Sequence, residues 1–185
     1  MNHEDRPRPS GDPFEARPAD FDDPFEILEA CHARIARMLR TLERLPAHVA
    51  AHGVDAEARE AIARVRRYFE LAGPDHHADE DIDLFPAARA AALAAGEAGV
   101  VAELDALGRE HRAMETTWAA LRAHLDALCS GGGEAVDAGL VDRFAALCRG
   151  HIEREEGVVY ADAKTRLPRA MRDALARAMV ARRRG

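Results

Sequence analysis

His76 stands four residues before Glu80, His111 four before Glu115, and His151 four before Glu155. Residues at i and i+4 lie one above the other on a helix face, so each pair points one way. The chain has 9 histidines and 17 glutamates among 185 residues. Chance would give fewer than one such pair, and the chain has three. An imidazole and a carboxylate aimed together into a core are costly unless paired or metal-bound. The chemistry they suggest is metal binding.

Two of the pairs belong to an internal repeat. "HHADEDIDLFPAA" (His76 to Ala88) aligns with "HIEREEGVVYADA" (His151 to Ala163), at an offset of 75 residues. His76 matches His151, Glu80 matches Glu155, and Phe85 matches Tyr160. His32 and His111 lie 79 apart, each in a segment preceding one of the repeats. Each half of the chain thus offers one lone His, then a His-x-x-x-Glu. Together they give His32, His76, Glu80, His111, His151 and Glu155: four imidazoles and two carboxylates. Six donors exceed what one tetrahedral zinc needs. A nitrogen and oxygen set without thiolate suits iron or manganese, although imidazole also accepts zinc or copper. A non-haem di-iron site is the favoured reading.

Such donors need helices to carry them. Asp22 or Asp23 can cap a first helix that has Pro24 at its start, with Leu28, His32, Ile35, Leu39 and Leu42 on one face. Pro46 should break or kink it, and Gly53 end it. Asp55 can cap a second helix whose face reads Ile62, Val65, Phe69, Ala72, His76, Glu80 and Leu84. Gly73-Pro74 predicts a kink or restart just before His76. "AAGEAG" (Ala94 to Gly99) reads as a loop, and a third helix carries Leu104, Leu107, His111, Met114, Trp118, Leu121 and Leu125. After the linker "CSGGGEAVDAG", a fourth shows Leu140, Phe144, Leu147, His151, Glu155 and Val158. Pro168 can open a short fifth helix bearing Met171, Leu175 and Met179. Four long amphipathic helices with short connections predict an all-α, up-down-up-down four-helix bundle spanning residues 23–166. A C-terminal helix and basic tail (167–185) would lie against it, behind a disordered N-terminal tail (1–22).

Composition narrows the function. Apolar residues make up 48% and charged residues 32%, as in ordinary globular proteins. The net charge of -7 argues against nucleic acid. No run of 18 apolar residues offers a membrane span, and the N-terminus lacks the apolar stretch of a signal peptide. A cytoplasmic setting is therefore expected, and there the odd count of Cys31, Cys129 and Cys148, with no CxxC pair, predicts free thiols. Cys31 and Cys148 read as small buried hydrophobes. Arg182 to Arg184 read as a solvated helix end.

Other residues near the pairs carry open roles. His77 is about 100° round the helix from His76; it is a further ligand, a donor to a ligating carboxylate, or a surface residue. Glu115 is a ligand or stands just behind one. Glu156 could replace Glu155 if the helix is locally overwound. Tyr160 is placed to hydrogen-bond near the metals, and Phe85 reads as core. Asp79 and Asp83 fall off the apolar face and read as solvated. His48, His52 and His124 read as surface residues.

From Pro24 to about Arg166 the chain resembles the hemerythrin-like, HHE cation-binding family. "HHADEDIDLFP" and "HIEREEGVVYADA" look like that family's HHxxEExxLFP and HxxxEE segments, and "CHARI" and "EHRAM" match its single-His helices. The resemblance implies two iron ions in an oxo- or hydroxo-bridged non-haem di-iron centre. His32, His76, Glu80, His111, His151 and Glu155 would be its ligands, with Glu80 and Glu155 bridging. Oxygen-carrying members add a His where this chain has Glu115, and use a carboxylate five residues after the last His, here Glu156. Two classes of function follow. One is a site that binds or senses oxygen, nitric oxide or peroxide; the other is an enzyme turning over peroxide or nitric oxide. A metal-storage or structural bundle is the third.

Overall fold

The computed structural model describes residues 23–183. The expected disordered tail, residues 1–22, and Arg184 lie outside them. The described residues are almost wholly helical: α1 (Pro24–His52), α2 (Ala56–Ala78), α3 (Phe85–Ala95), α4 (Ala98–Cys129), α5 (Ala138–Arg154), α6 (Ala161–Arg166) and α7 (Arg169–Arg182). Two π-helical segments, Asp79–Leu84 and Glu155–Tyr160, join α2 to α3 and α5 to α6 without a break. Four long rods result: α1, α2 through α3, α4, and α5 through α6. They form the expected up-down-up-down bundle. α1 packs on α2 and α5, α4 on α3 and α5, and α7 lies across α1 and the first π segment.

Side-chain caps fix where the rods begin. Asp23 accepts the Phe25 amide at 2.9 Å with Pro24 behind it, and Asp55 accepts the Ala58 amide at 2.8 Å. Asp137 accepts the Leu140 amide at 2.9 Å at the head of α5. These bonds satisfy donors that a helix start leaves orphaned.

Two proline expectations are corrected. α1 runs through Pro46 to His52, and α2 runs through Pro74 to Ala78. Proline removes one backbone bond, but buried Leu42, Leu45 and Val49 bracket Pro46 and hold the rod together. The departure from α geometry comes after His76, not before it. The expected loop at Ala94–Gly99 shrinks to Gly96 and Glu97, where Gly96 takes the left-handed φ of 77° that ends α3.

The core comes in two pieces. One cluster holds Ile35, Leu39, Leu42, Val65, Leu121 and Phe144 with their neighbours. The other holds Phe25, Leu28, Leu84, Leu107, Val159 and Tyr160 with theirs. On α1 the boundary falls at His32, between Leu28 and Ile35; on α4 it falls at His111, between Leu107 and Met114. The bundle therefore carries a buried polar layer between two apolar ones. Each fully buried large side chain in those clusters contributes about 1.5–3 kcal/mol. That offsets a layer whose carboxylates, Glu80 and Glu155, have no exposed surface at all.

Candidate metal centre

His76 sits in the last turn of α2 and Glu80 in the first π segment; His151 sits in the last turn of α5 and Glu155 opens the second. The reason lies in the spacing. His76, Glu80, Leu84, Ala88 and Ala92 are all buried, as are His151, Glu155, Val159 and Ala163. An α-helix turns about 400° over four residues, so such a row drifts about 40° per step. A wider π turn takes up that drift and keeps the row facing inward. Single π turns of this kind concentrate at functional sites.

The six residues converge. His32 Nε2 lies 3.2 Å from Glu155 Oε2 and 3.8 Å from Glu80 Oε1. His76 Nε2 lies 3.2 Å from Glu80 Oε1, and His111 Nε2 lies 3.3 Å from Glu80 Oε2. His151 Nε2 is 3.1 Å from His111 Nε2 and 3.6 Å from Glu155 Oε2. Two overlapping groups emerge. His32, His76, Glu80 and Glu155 can offer one donor atom each to a common point, and so can Glu80, His111 and His151. Glu80 belongs to both. All four imidazoles turn Nε2 toward these carboxylates.

Three further carboxylates, two of them largely exposed, hold the imidazoles from behind. Glu156 lies 2.8 Å from His32 Nδ1, Asp81 3.0 Å from His111 Nδ1, and Glu110 3.2 Å from His151 Nδ1. An acceptor on Nδ1 fixes the ring and its tautomer, leaving Nε2 as a lone-pair donor. Tyr160, itself buried, donates its hydroxyl to Glu80 Oε1 at 3.0 Å.

Several buried atoms in the layer nonetheless lack a hydrogen-bond partner: His32 Nε2, His76 Nδ1, Glu80 Oε2 and both oxygens of Glu155. Buried polar groups are rarely left so. Hard oxygen and imidazole donors orphaned together fit divalent or trivalent cations of the iron and manganese kind.

The protonation pattern agrees. Burial pushes His32 down, but Glu155 and Glu80 override it and hold the imidazole up at about 11. Burial likewise opposes His111, which Asp81 and Glu80 hold up at about 10. Burial, helped by the neighbouring His111, presses His151 down to about 4. His76 is pressed well below its usual range by burial. Burial and the Glu80 charge push Glu155 up to about 8. Glu80 stays well below the usual carboxylate range, because His76, His111 and His32 outweigh its burial. Protons on His32, His111 and Glu155 thus supply positive charge that a cation would otherwise bring.

The remaining sequence candidates fall outside both groups. His77 is half-buried and stacks on His111, with ring centroids 4.1 Å apart. Glu115 is exposed. Glu156 does not replace Glu155 but grips His32 from outside. Phe85 is core and stacks on the His111 ring. An apolar cavity of about 160 Å3 abuts the layer, with His76, His77, His151 and Glu115 on its wall.

Three readings are overturned. Asp79 is fully buried rather than solvated, and it pairs with both Arg182 and Arg183; Arg182 also reaches Asp83 at 2.8 Å. Arg182 and Arg183 are therefore packed against the first π segment instead of ending in water. Asp79 stands beside the inward row, and α7 covers it there. Burial pushes Asp79 up to about 6, against the pull of Arg183 and Arg182. His124 is also more than a surface residue, since its Nε2 accepts the Asp137 amide at 2.9 Å. Asp81 and Glu110 were missed as supports. Asp81 sits four residues after His77 and Glu110 adjoins His111, spacings that many surface acids share.

Residues 23–163 match the model of the hemerythrin HHE cation-binding domain. The chain belongs to that family. It is also 31% identical over 138 residues to an uncharacterized protein of Haemophilus influenzae, covering 75% of this chain and 77% of that one. Like other HHE domains, the chain is a metal-binding bundle by its family and by its buried His and Glu cluster. Among its described helices none is long and apolar enough to cross a membrane.

Proposed function

We propose that this HHE protein holds two iron ions and uses them in redox chemistry with oxygen, peroxide or nitric oxide. The observation that carries the reading is the pair of donor groups sharing Glu80. His32 and His76 would serve one ion, His111 and His151 the other. Glu80 and Glu155, each within reach of imidazoles from both groups, would lie between them. Two irons, when bound, supply paired one-electron changes that a small oxidant can accept. The chain's own part is to orient four Nε2 atoms through their outer carboxylates and to keep water from Glu80 and Glu155 by burial. The apolar cavity at His151 offers an uncharged small molecule a path to the layer.

Redox turnover is favoured over reversible oxygen carriage by Glu115. It stands where oxygen carriers place a further imidazole, and it is exposed and outside both donor groups. Two measurements test this. Protein made with iron should carry two irons per chain; one zinc, or no metal, would sink the reading. The reduced protein mixed with oxygen in a stopped-flow cell should oxidise to a stable diferric form. Recovery of the reduced spectrum on argon purging would show a reversible carrier.

A further inference from the structure

The cavity beside the polar layer is larger and more aromatic than a diatomic molecule needs. Its far wall is built by Phe69, Trp118 and Phe144. Their ring centroids lie 4.9 to 5.5 Å apart at tilted or edge-on angles. Ile35, Met114, Cys148 and Ile152 add to the apolar lining, and exposed Pro74 and Glu115 stand on its wall toward solvent. A volume of about 160 Å3 is that of a cavity able to hold one six-membered ring; apolar cavities of roughly 150 Å3 bind benzene.

The polar side of the wall has its own demand. His76 lines the cavity and is 2% exposed, and its Nδ1 is one of the buried atoms without a partner. Its Nε2 faces Glu80. His76 alone among the four imidazoles of the layer has no carboxylate on Nδ1. A hydroxyl both donates and accepts, so it satisfies Nδ1 in either tautomer.

We infer that this cavity is a binding site for a small monocyclic aromatic molecule with one hydroxyl, of the phenol class. The ring stacks edge-to-face against Phe69, Trp118 and Phe144. The hydroxyl bonds His76 Nδ1. The inference deepens the di-iron reading, because such a ligand sits beside the layer, but the binding itself needs no metal.

Phenol is the probe, titrated into the full chain both metal-free and iron-loaded. Trp118 is the single tryptophan, so its fluorescence reports on the cavity wall. Gly73 also lines the cavity, and a Cβ built there meets no heavy atom within 4 Å. Gly73→Leu fills the space from a helical position that favours leucine over glycine. Saturable phenol binding is expected in the wild type and in Gly73→Ala, at least about tenfold weaker in Gly73→Leu. Circular dichroism and iron content should stay at wild-type level. Cyclohexanol, with no aromatic face, should bind more weakly than phenol to the wild type. Quenching that never saturates, equal binding of phenol and cyclohexanol, or full binding by a folded Gly73→Leu would each overturn the inference. Phenol binding by metal-free chain that takes up no iron would sink the di-iron reading and leave this one standing. Two irons without phenol binding would do the reverse.

Discussion

The Tyr160 hydroxyl donates to Glu80 across 80 residues of sequence, joining the second repeat to the first. Both partners are fully buried, so no water can replace the bond. Tyr160→Phe leaves a buried carboxylate short of a donor while keeping the ring that packs on Phe25. Hydrogen bonds to charged groups are worth about 1.5–3 kcal/mol. Urea denaturation of the metal-free variant should show a loss of that order, with helix content unchanged. An unchanged midpoint would mean that the hydroxyl does not support Glu80.

Residues that touch a metal and residues that hold its ligands should separate by degree. His151→Ala and Glu80→Ala each delete one of the six converging donors, and most of the iron should be lost while the apolar clusters keep the bundle helical. Glu156→Ala removes only the grip on His32 Nδ1. Losing such a support weakens metal affinity about 10–100-fold without abolishing it. Competition with a chelator measures both. Equal losses for Glu80→Ala and Glu156→Ala would erase the distinction.

Metal and protons compete for the same layer. At neutral pH the metal-free protein holds protons on His32, His111 and Glu155, whose values stand at about 11, 10 and 8. All three lie above their unfolded values, so each stabilises the metal-free fold below its unfolded value and loses that effect as pH rises toward its folded one. The metal-free bundle should therefore lose stability between pH 7 and pH 9. Metal must displace those protons, so iron affinity should rise over the same window. Denaturation midpoints and chelator titrations at several pH values read the two trends. Parallel trends would contradict the assignment.

Thiol reactivity should follow burial. Cys31 and Cys148 are buried and Cys129 is only partly so. Burial pushes the Cys148 thiol up to about 12, and raises Cys31 as well. At pH 8 neither forms appreciable thiolate, the reactive species. Iodoacetamide should modify Cys129 alone in the native protein and all three in urea. Mass spectrometry counts the adducts, and early labelling of Cys148 would contradict the packed core around it.

Much of this arrangement is legible in the sequence because helix faces repeat. The stripe through Leu28, His32 and Ile35 reads directly as one inward row, and so does Leu107, His111 and Met114. The wide turns are harder to see, although their sign is present. His76, Glu80, Leu84 and Ala88 keep strict four-residue steps where an α-helix alternates three and four. Asp79 reads as standing off that row, and it is buried because α7 packs over it. Its partners, Arg182 and Arg183, lie more than a hundred residues away, and no local pattern links them. Pro46 and Pro74 mislead for the opposite reason. Proline weakens a helix locally, but packing along a long rod outweighs one missing bond.

The pairing of Asp79 with Arg182 and Arg183 sets an order of assembly. A chain emerges from the ribosome N-terminus first. Asp79 adjoins Glu80, and it is secured by side chains at the end of α7, more than a hundred residues later. Until α7 is made, that buried acid lacks the counter-charge of Arg182 and Arg183, and the turn bearing Glu80 lacks its brace. The centre is therefore braced only once α7 has left the ribosome, and chains cut short before Arg182 carry four rods and an unbraced site.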